Sequence, residues 1–487
     1  VNGRSRLRPS IRRWGMLALW MSCGSHAAWA FDPLRTGSAV PPTAAAQMLG
    51  DGSSGICAFG ALPSPLPLQD AVERALCNDP RTRQAWGQVK LEAARVGQGR
   101  AAYLPNISGS WQGVRDDQKT DIDNLPQFNS NFHNFLRTES VSLSWVLYDF
   151  GGREAALKSA TELLEAAQAN QQAVLEATFA KVAKDYYAAQ AAQGAFVAAQ
   201  QIEQTANDSV QAATARANKG IAPITDQLQA QTDHAQAVVN LAKAQRDRQD
   251  ALGVLASDMN LDPDAPISLP DVGEGVLPDQ AFDGSIADLI DEAKRTHPSV
   301  RAAEARVEAE RAKLRQTRAE GLPSVSLVAR YSRNNEPTSF EVGQPQLPTT
   351  GSEWYVGFQV TIPIFSGFMK TYQVREEEAK AELENDTLDA TRQQVGLDVW
   401  TSYQALQTAT HNLDNSAMLL DISNRSYAAA EHRYTVGVGS ILELLNAQTA
   451  LAGAKRQRIE ALTDWRSARL QLAAKLGEIG MWSLRGE

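Results

Sequence analysis

The chain repeats itself at long range. Asn78-Asp-Pro-Arg-Thr-Arg-Gln-Ala85 resembles Thr296-His-Pro-Ser-Val-Arg-Ala-Ala303, with Pro80 matched to Pro298. Leu104-Pro-Asn-Ile-Ser108 returns as Leu322-Pro-Ser-Val-Ser326 at the same offset. Ala230-Gln-Thr232 returns as Ala447-Gln-Thr449, and Gly220 as Gly437, at an offset shorter by a single position. Ordered matches at one spacing identify a tandem duplication, with units at 68–256 and 285–480. Whatever one unit forms, the other is expected to form too. The joint at 257–284 carries four prolines and seven acids with no base, and reads as a solvated linker. A Pro- and Gly-rich arm (31–67) precedes the first unit, and a short tail (481–487) follows the second.

Each unit follows one plan: a helix, two strands, then two very long helices. None of the 21 prolines lies between Pro126 and Pro223 or after Pro363, and these stretches are rich in Ala, Gln, Glu and Leu, which favour helix. From about Arg153 to Lys219 the helix would be about 100 Å long, more than a globular domain can enclose. Val399, Leu406, Leu413, Leu420, Tyr427 and Tyr434 recur every seven residues. Leu444, Leu451, Trp465 and Leu472 keep that period past Gly437, broken only by Arg458. A sustained seven-residue period supercoils neighbouring helices. Small residues share the seam as Ala447, Ala454, Ala461 and Ala468, matched in the first unit by Ala230, Ala237, Ala244 and Ala251. A plain coiled-coil stalk would explain this period, but not the strands.

Those strands are short and alternate. Val141, Leu143, Trp145 and Leu147 share one face, with serines on the other. Trp354, Val356, Phe358, Val360 and Ile362 alternate with Tyr355, Gly357, Gln359 and Thr361, and Val325, Leu327, Ala329 and Tyr331 repeat the pattern. The strand from Ile107 is weaker, interrupted by Gly109 and Gly113. Lengths of about 9–11 residues suit tilted strands crossing an outer membrane, apolar side to lipid and polar side to a lumen. Four strands cannot close a barrel, so a ring must take several chains.

Charge and hydropathy agree. Net charge is −9, and without residues 1–30, which hold five arginines and no acid, it becomes −14. A body that acidic is a poor ligand for nucleic acid. No run of 18 apolar residues occurs, which argues against helical membrane spans but leaves a barrel open. Residues 1–30 read as a signal peptide: arginines up to Arg13, an apolar run from Trp14 to Met21, then Ala28-Trp-Ala30 before the cleavage point. A lipoprotein signal through Cys23 fits less well, with Trp20 three residues before it. Export leaves Cys57 and Cys77 in an oxidising compartment. They can form one intrachain bridge, stapling the arm to the helix that starts near Leu68, or stay separate buried thiols.

Several segments together resemble the TolC family of trimeric outer-membrane channel proteins. These are Leu104-Pro105, Tyr148-Asp-Phe-Gly-Gly-Arg153, Lys219-Gly-Ile-Ala-Pro-Ile-Thr-Asp226, Tyr434-Thr-Val-Gly-Val-Gly-Ser-Ile441 and Leu445-Asn-Ala-Gln-Thr449. The Tyr-Asp-Phe-Gly-Gly-Arg form and the paired cysteines are most similar to its type I secretion branch. The resemblance implies an α+β membrane protein: three chains close a twelve-stranded outer-membrane β-barrel, continued through the periplasm as an α-helical tunnel. It implies a passive conduit for a secreted protein such as a toxin, set in outer-membrane lipid, with a periplasmic adaptor (membrane fusion protein) and an inner-membrane ABC transporter as partners. Multidrug efflux is the alternative.

With strands at the membrane end, the two turns belong at the periplasmic tip. Gly220, Gly437 and Gly439 permit the reversals, and the resemblance assigns Gly220, Ile221, Gly437 and Val438 to adaptor contact. Asp226 and Glu443 stand at the same offset as Gly220 and Gly437, so a trimer carries a ring of six entrance carboxylates that favours cations. Alternatively, they only favour their helix N-termini. Tyr434 and Asp226 match positions the family uses for polar links that close the entrance. Gly439 stands where the family has an arginine, and Asn446 where it has a second acid, so that gate is only partly present. No cofactor or metal set is expected: the six histidines lack ligand spacing, and no catalytic or phosphate-binding motif appears.

Overall fold

The computed structural model describes residues 32–49, 57–272, 285–338, 347 and 349–478; residues 1–30, read above as a signal peptide, the tail at 481–487 and part of the 257–284 joint lie outside these. In the first half α1 (Leu68–Asn78) and α2 (Pro80–Ala101) lead into β1 (Asn106–Thr120) and β2 (Ser130–Tyr148). α3 (Gly152–Asn218) and α4 (Ile224–Asp258) follow. The second half repeats the order as α5 (Ile286–Thr296), α6 (Pro298–Ala319), β3 (Ser324–Asn334), β4 (Gly351–Thr361), α7 (Met369–Thr435) and α8 (Ile441–Leu476). α3 and α7 each run 67 residues, about 100 Å.

Two details depart from the expected plan. The opening helix of each half is broken in two, because Pro80 and Pro298 lack the N–H that an unbroken helix needs. Each proline instead begins a new helix, capped by Asp79, which accepts from Arg81 N at 2.7 Å, or by His297, whose Nδ1 accepts from Ser299 N at 3.1 Å. The closing helices are also only half as long as α3 and α7, at 35 and 36 residues. α4 packs along only part of α3, while α2 and α6 also pack on it, so several shorter helices cover each long one.

The sheet is antiparallel in the order β1-β2-β3-β4, leaving β1 and β4 as edges. Its register sorts the faces. Ile107, Leu143, Ala329 and Val356 form one row, and Gly109, Val141, Tyr331 and Trp354 the next. The opposite face carries Ser108, Ser142, Arg330 and Tyr355, then Ser110, Ser140, Ser332 and Glu353. Serine hydroxyls bond across it, Ser108 to Ser142 and Ser110 to Ser140, each at 2.8 Å. β1 and β2 are longer than the expected crossing strand, at 15 and 19 residues. Their hairpin extends beyond the end of β3, where polar residues drop the alternation but keep the backbone pairing. At the exit of β2, Phe150 and Gly151 both take left-handed angles (φ +52° and +85°). Asp149 accepts from Arg153 N at 2.8 Å, and Arg153 Nη1 donates to Val146 O at 2.6 Å, turning strand into helix over a few residues.

The largest core sits midway along the rods. Leu66, Val72 and Leu76 pack with Leu175, Phe179 and Tyr186 of α3, Leu255 of α4 and Leu470 of α8. The arm lies against the first half: Trp86 Nε1 donates to Pro41 O at 2.9 Å and Gln171 Nε2 to Ala44 O at 2.9 Å. In the structure Cys57 and Cys77 are disulfide-bonded, with Cα atoms 5.5 Å apart. The four long helices form a layer in the order α4-α3-α8-α7. Arg458, the break in the heptad row, donates to Leu413 O of α7 at 2.6 Å, replacing an apolar contact with a register-fixing bond. Asp258 is corrected as well: it belongs to the buried end of α4 and pairs with Lys181, instead of lying free in a solvated linker.

Candidate functional site

The far ends of both hairpins lie together, with their turns at equivalent places in the two repeats. α3 ends at Asn218, and Gly220 takes φ +71° while Gly220 N donates to Ala217 O and Ile221 N to Arg216 O. Pro223 then starts α4, placing half-buried Asp226 in its first turn. α7 ends at Thr435, and Gly437 takes φ +87°. Ser440 caps α8 by accepting from Glu443 N at 3.2 Å. Both acids sit where a helix N-terminus favours negative charge. Ile221 and Val438 are among the most exposed apolar side chains of the helical region, 66% and 68% accessible.

Gly439 does something other than supply an unusual backbone angle, since its φ is not positive. Gly439 N and Val438 N both donate to Arg433 O, at 2.9 and 3.0 Å. A Cβ on Gly439 would lie 3.0 Å from the Arg433 and Tyr434 backbone, so a side chain here, such as the arginine that the family resemblance places there, would require the turn to shift by a few tenths of an ångström. Two arginines that sequence reasoning missed act here instead. Arg433 pairs with Glu443 at 3.1 Å. Arg216 crosses from α3 to the end of α7: its Nη1 donates to Tyr434 O at 2.6 Å and its guanidinium lies 4.6 Å from the Tyr434 ring centre. The repeat offset was the available signal, because Arg216 and Arg433 are themselves equivalent positions of the two units.

Tyr434 is buried with Ile441, Leu444 and Leu445 in a small apolar core. Burial pushes its phenol upward, with Arg216 opposing and Asp226 adding to the shift. The structure brings Tyr434 and Asp226 near one another without a hydrogen bond: the Tyr434 hydroxyl has no partner among the described residues. Asn446, in the second-acid position, is exposed on α8. Among the described residues no group of three or more His, Cys, Asp or Glu could hold a metal. No described helix is long and apolar enough to cross a membrane.

Comparison with known proteins decides the family. The profile described as "Outer membrane efflux protein" matches twice, over residues 71–259 and 289–478. The chain belongs to this outer membrane efflux protein family. It is 29% identical over 486 residues to Protein CyaE of Bordetella pertussis, covering 98% of this chain and 96% of CyaE. It is 26% identical over 424 residues to the alkaline protease secretion protein AprF of Pseudomonas aeruginosa, covering 83% and 82%. Among solved structures, the Campylobacter jejuni CmeC outer membrane channel superposes with a TM-score of 0.72 at 16% identity, covering 85% of this chain and 86% of that one. The chain thus has the protomer fold of trimeric outer-membrane channels with a helical tunnel, and as an outer-membrane family member it extends into the periplasm. The family consists of channels; nothing in it points to catalysis.

Proposed function

We propose that the protein is the outer-membrane channel of a tripartite export system and carries a protein, such as a toxin, by type I secretion. The observation that carries the channel reading is the sheet register: one face apolar, the other polar, two unpaired edges, and long helices leading away from the same end. Three copies joined β4 to β1 give twelve strands and no free edge. The signal-peptide reading of residues 1–30 supports export, and the likeness to AprF, whose name states protease secretion, supports a polypeptide cargo. Multidrug efflux, in line with the family's own description as efflux proteins, is the second reading. Gene deletion tests both. Loss of one secreted protein with unchanged drug sensitivity supports secretion, whereas drug hypersensitivity with intact secretion supports efflux.

In this system the mouth meets a periplasmic adaptor, and an inner-membrane ABC transporter supplies the energy that the conduit lacks. Gly220, Ile221, Gly437 and Val438 form the adaptor contact, supported by exposed apolar groups on a tip that otherwise gains nothing from them. Cysteines at Ile221 and Val438 should cross-link to the adaptor during secretion; secretion without any capture would refute the contact. Asp226 and Glu443 supply six carboxylates in a trimer and draw cations to the entrance. Replacing them with Asn and Gln should lower cation preference in planar bilayers while trimers still assemble.

A further inference from the structure

We propose that Arg115, Arg137 and Arg333 form a row on the outer wall of the barrel that holds the phosphate groups of outer-leaflet lipid. The inference rests on the channel reading and gives its membrane lipid a binding site. It begins with the register. Arg115 lies opposite Phe135, Arg137 opposite Gly113, and Arg333 opposite Glu139. Arg137, on β2, is therefore the diagonal neighbour of both other arginines, and such neighbours stand about 7–8 Å apart. All three share the face of Trp111, Val141, Tyr331 and Trp354. Exposure identifies that face as the outer one: along 133–139 and 331–334 its positions are exposed, while the alternating ones are partly or fully buried.

The level of the row follows from the pattern around it. Toward the helices the outward face is apolar and aromatic, with Trp111, Tyr331 and Trp354 64%, 50% and 74% accessible. At the row the alternation inverts: Val114 and Leu136 pair on the lumen face, and the arginines take the outward one. Such an inversion marks where lipid tails give way to headgroups and water. The helix end of the band is rimmed by exposed Tyr148, Phe150, Phe365 and Phe368, and there Arg153 and Lys370 are already engaged by Asp149 and Glu320. The basic rim thus belongs to the end far from the periplasm. Barrel strands tilt by about 35–45°, so a row that steps diagonally across them runs near the membrane plane. The sheet steps in the same sense at its other end, where β1 starts at Asn106, opposite Ser144, but β2 continues to Tyr148.

The charge of the row is unspent within the chain. Among the described residues none of the three arginines has an ion pair. Asp117 is taken by His133 at 2.6 Å, and Lys119 pairs with Asp121 at 2.9 Å. Glu139, opposite Arg333, offsets one charge and leaves the row net positive. Arginine suits this level, because its apolar stem tolerates lipid tails while its head reaches the headgroups. The guanidinium is always charged, and its planar fork fits phosphate oxygens in pairs. A phosphate at the edge of the tails supplies the missing counter-charge where the dielectric is low and the attraction strong. Arg330 provides the contrast: it carries the same charge on the lumen face, in the row of Ser142 and Tyr355.

The test places the full-length protein in phosphatidylcholine vesicles with a trace of spin-labelled phosphatidic acid or spin-labelled phosphatidylcholine. The motionally restricted fraction of each label reports its association with the barrel wall, and heat-labile oligomer bands confirm assembly of each variant. The native protein should prefer phosphatidic acid severalfold. Arg137→Gln, at the centre of the row, should lower that preference, and Arg115→Gln, Arg137→Gln and Arg333→Gln together should bring it to parity. Arg330→Gln, which removes the same charge from the lumen face, should leave it at the native level. Equal restriction of both labels by the native protein overturns the row, as does an unchanged preference in the assembled triple variant or in assembled Arg137→Gln. An equal loss in Arg330→Gln also overturns it, since net charge alone would then set the preference. A native protein that restricts neither label has not entered the bilayer and removes the channel reading instead, which separates the two failures.

Discussion

The two halves of the chain carry the same bond with opposite polarity. Lys181 of α3 meets Asp258 of α4, and at the equivalent positions of the second half Asp398 of α7 meets Lys475 of α8 at 2.6 Å. Each pair lies beside the break where Asp79 or His297 starts a helix, as the charges felt at both caps reveal. The geometry calls for an ion pair at this level but not for a direction, so what separates the pairs is their surroundings. Asp258 is buried, its side chain 8% accessible, and is shared by Lys181, which also holds Asp185 at 2.9 Å. Asp398 is 31% accessible. The same half-to-half difference sets Glu176, buried on α3 near the stretch where the arm packs, against exposed Gln393 at the equivalent point of α7.

Breaking the ion pairs should expose the inequality most strongly. Lys181→Met strands a buried carboxylate and should cost about 3–5 kcal/mol. Lys475→Met leaves a carboxylate that water can reach and should cost no more than about 1 kcal/mol. Thermal unfolding of the two variants side by side measures the gap, and equal losses would mean that burial does not distinguish the halves. Glu176 gives the next largest effect. Burial pushes its carboxyl up to about 7, above the unfolded value, despite a bond from Gln172. The folded state therefore binds this proton more tightly, a contribution present below about pH 4.5 and lost as pH rises through 7. Glu176→Gln, the residue of the other half, should stabilise by about 2–3 kcal/mol at pH 8 and hardly at all at pH 4.5. A stability gain independent of pH would contradict this.

The turns should differ by less. Ala222 and Gly439 are equivalent, but a Cβ at Gly439 meets backbone at 3.0 Å. Gly439→Ala should cost about 1–3 kcal/mol through overpacking, seen as faster amide exchange over residues 433–441, whereas Ala222→Gly should cost less than about 1 kcal/mol. The caps give the smallest effect and separate by pH. Burial works against the charge on Asp79, yet its bonds with Arg81 and the charge of Lys181 hold its carboxyl below the ordinary value. Burial, with the charge of Lys475, pushes the His297 imidazole below its ordinary 6.5, while Asp398 pulls the other way. The His297 contribution is thus present above pH 6.5 and lost as pH falls through the depressed value, because a protonated Nδ1 cannot accept from Ser299 N. Asp79 keeps its role until pH falls through a value below its ordinary 3.8. As pH falls from 7 through the depressed His297 value, α6 should lose about 1 kcal/mol at its first turn while α2, capped by a carboxyl held below its ordinary value, keeps its own, as amide exchange at Ser299 and Arg81 would report.

Features with a period were legible in the sequence, and features without one were not. The duplication, the 67-residue rods, the apolar strand face and the position of both turns all follow from spacing, which one residue in the wrong place barely disturbs. Missed were the splits at Asp79-Pro80 and His297-Pro298, because a capped proline restart preserves helical composition on either side. The extended β1–β2 hairpin was underestimated because beyond the apolar band pairing rests on backbone bonds, which leave no alternation to read. The equivalent placing of Asp226 and Glu443 was legible in their offset, while the contact of Arg216 with Tyr434 was not, since its partner lies in the other half of the chain. Tyr434 and Asp226 were paired through family likeness. The chain brings them close without a bond, and a guanidinium takes the carbonyl beside the ring instead.

Barrel and tunnel both depend on three chains closing one ring in the outer membrane. The direct measurement is electrophoresis of the outer-membrane fraction in detergent, with and without heating. The expected result is a heat-labile band of about three chain masses that collapses to a single chain on boiling. A chain recovered from the soluble periplasm, running as a monomer whether heated or not, would contradict the barrel and the tunnel together.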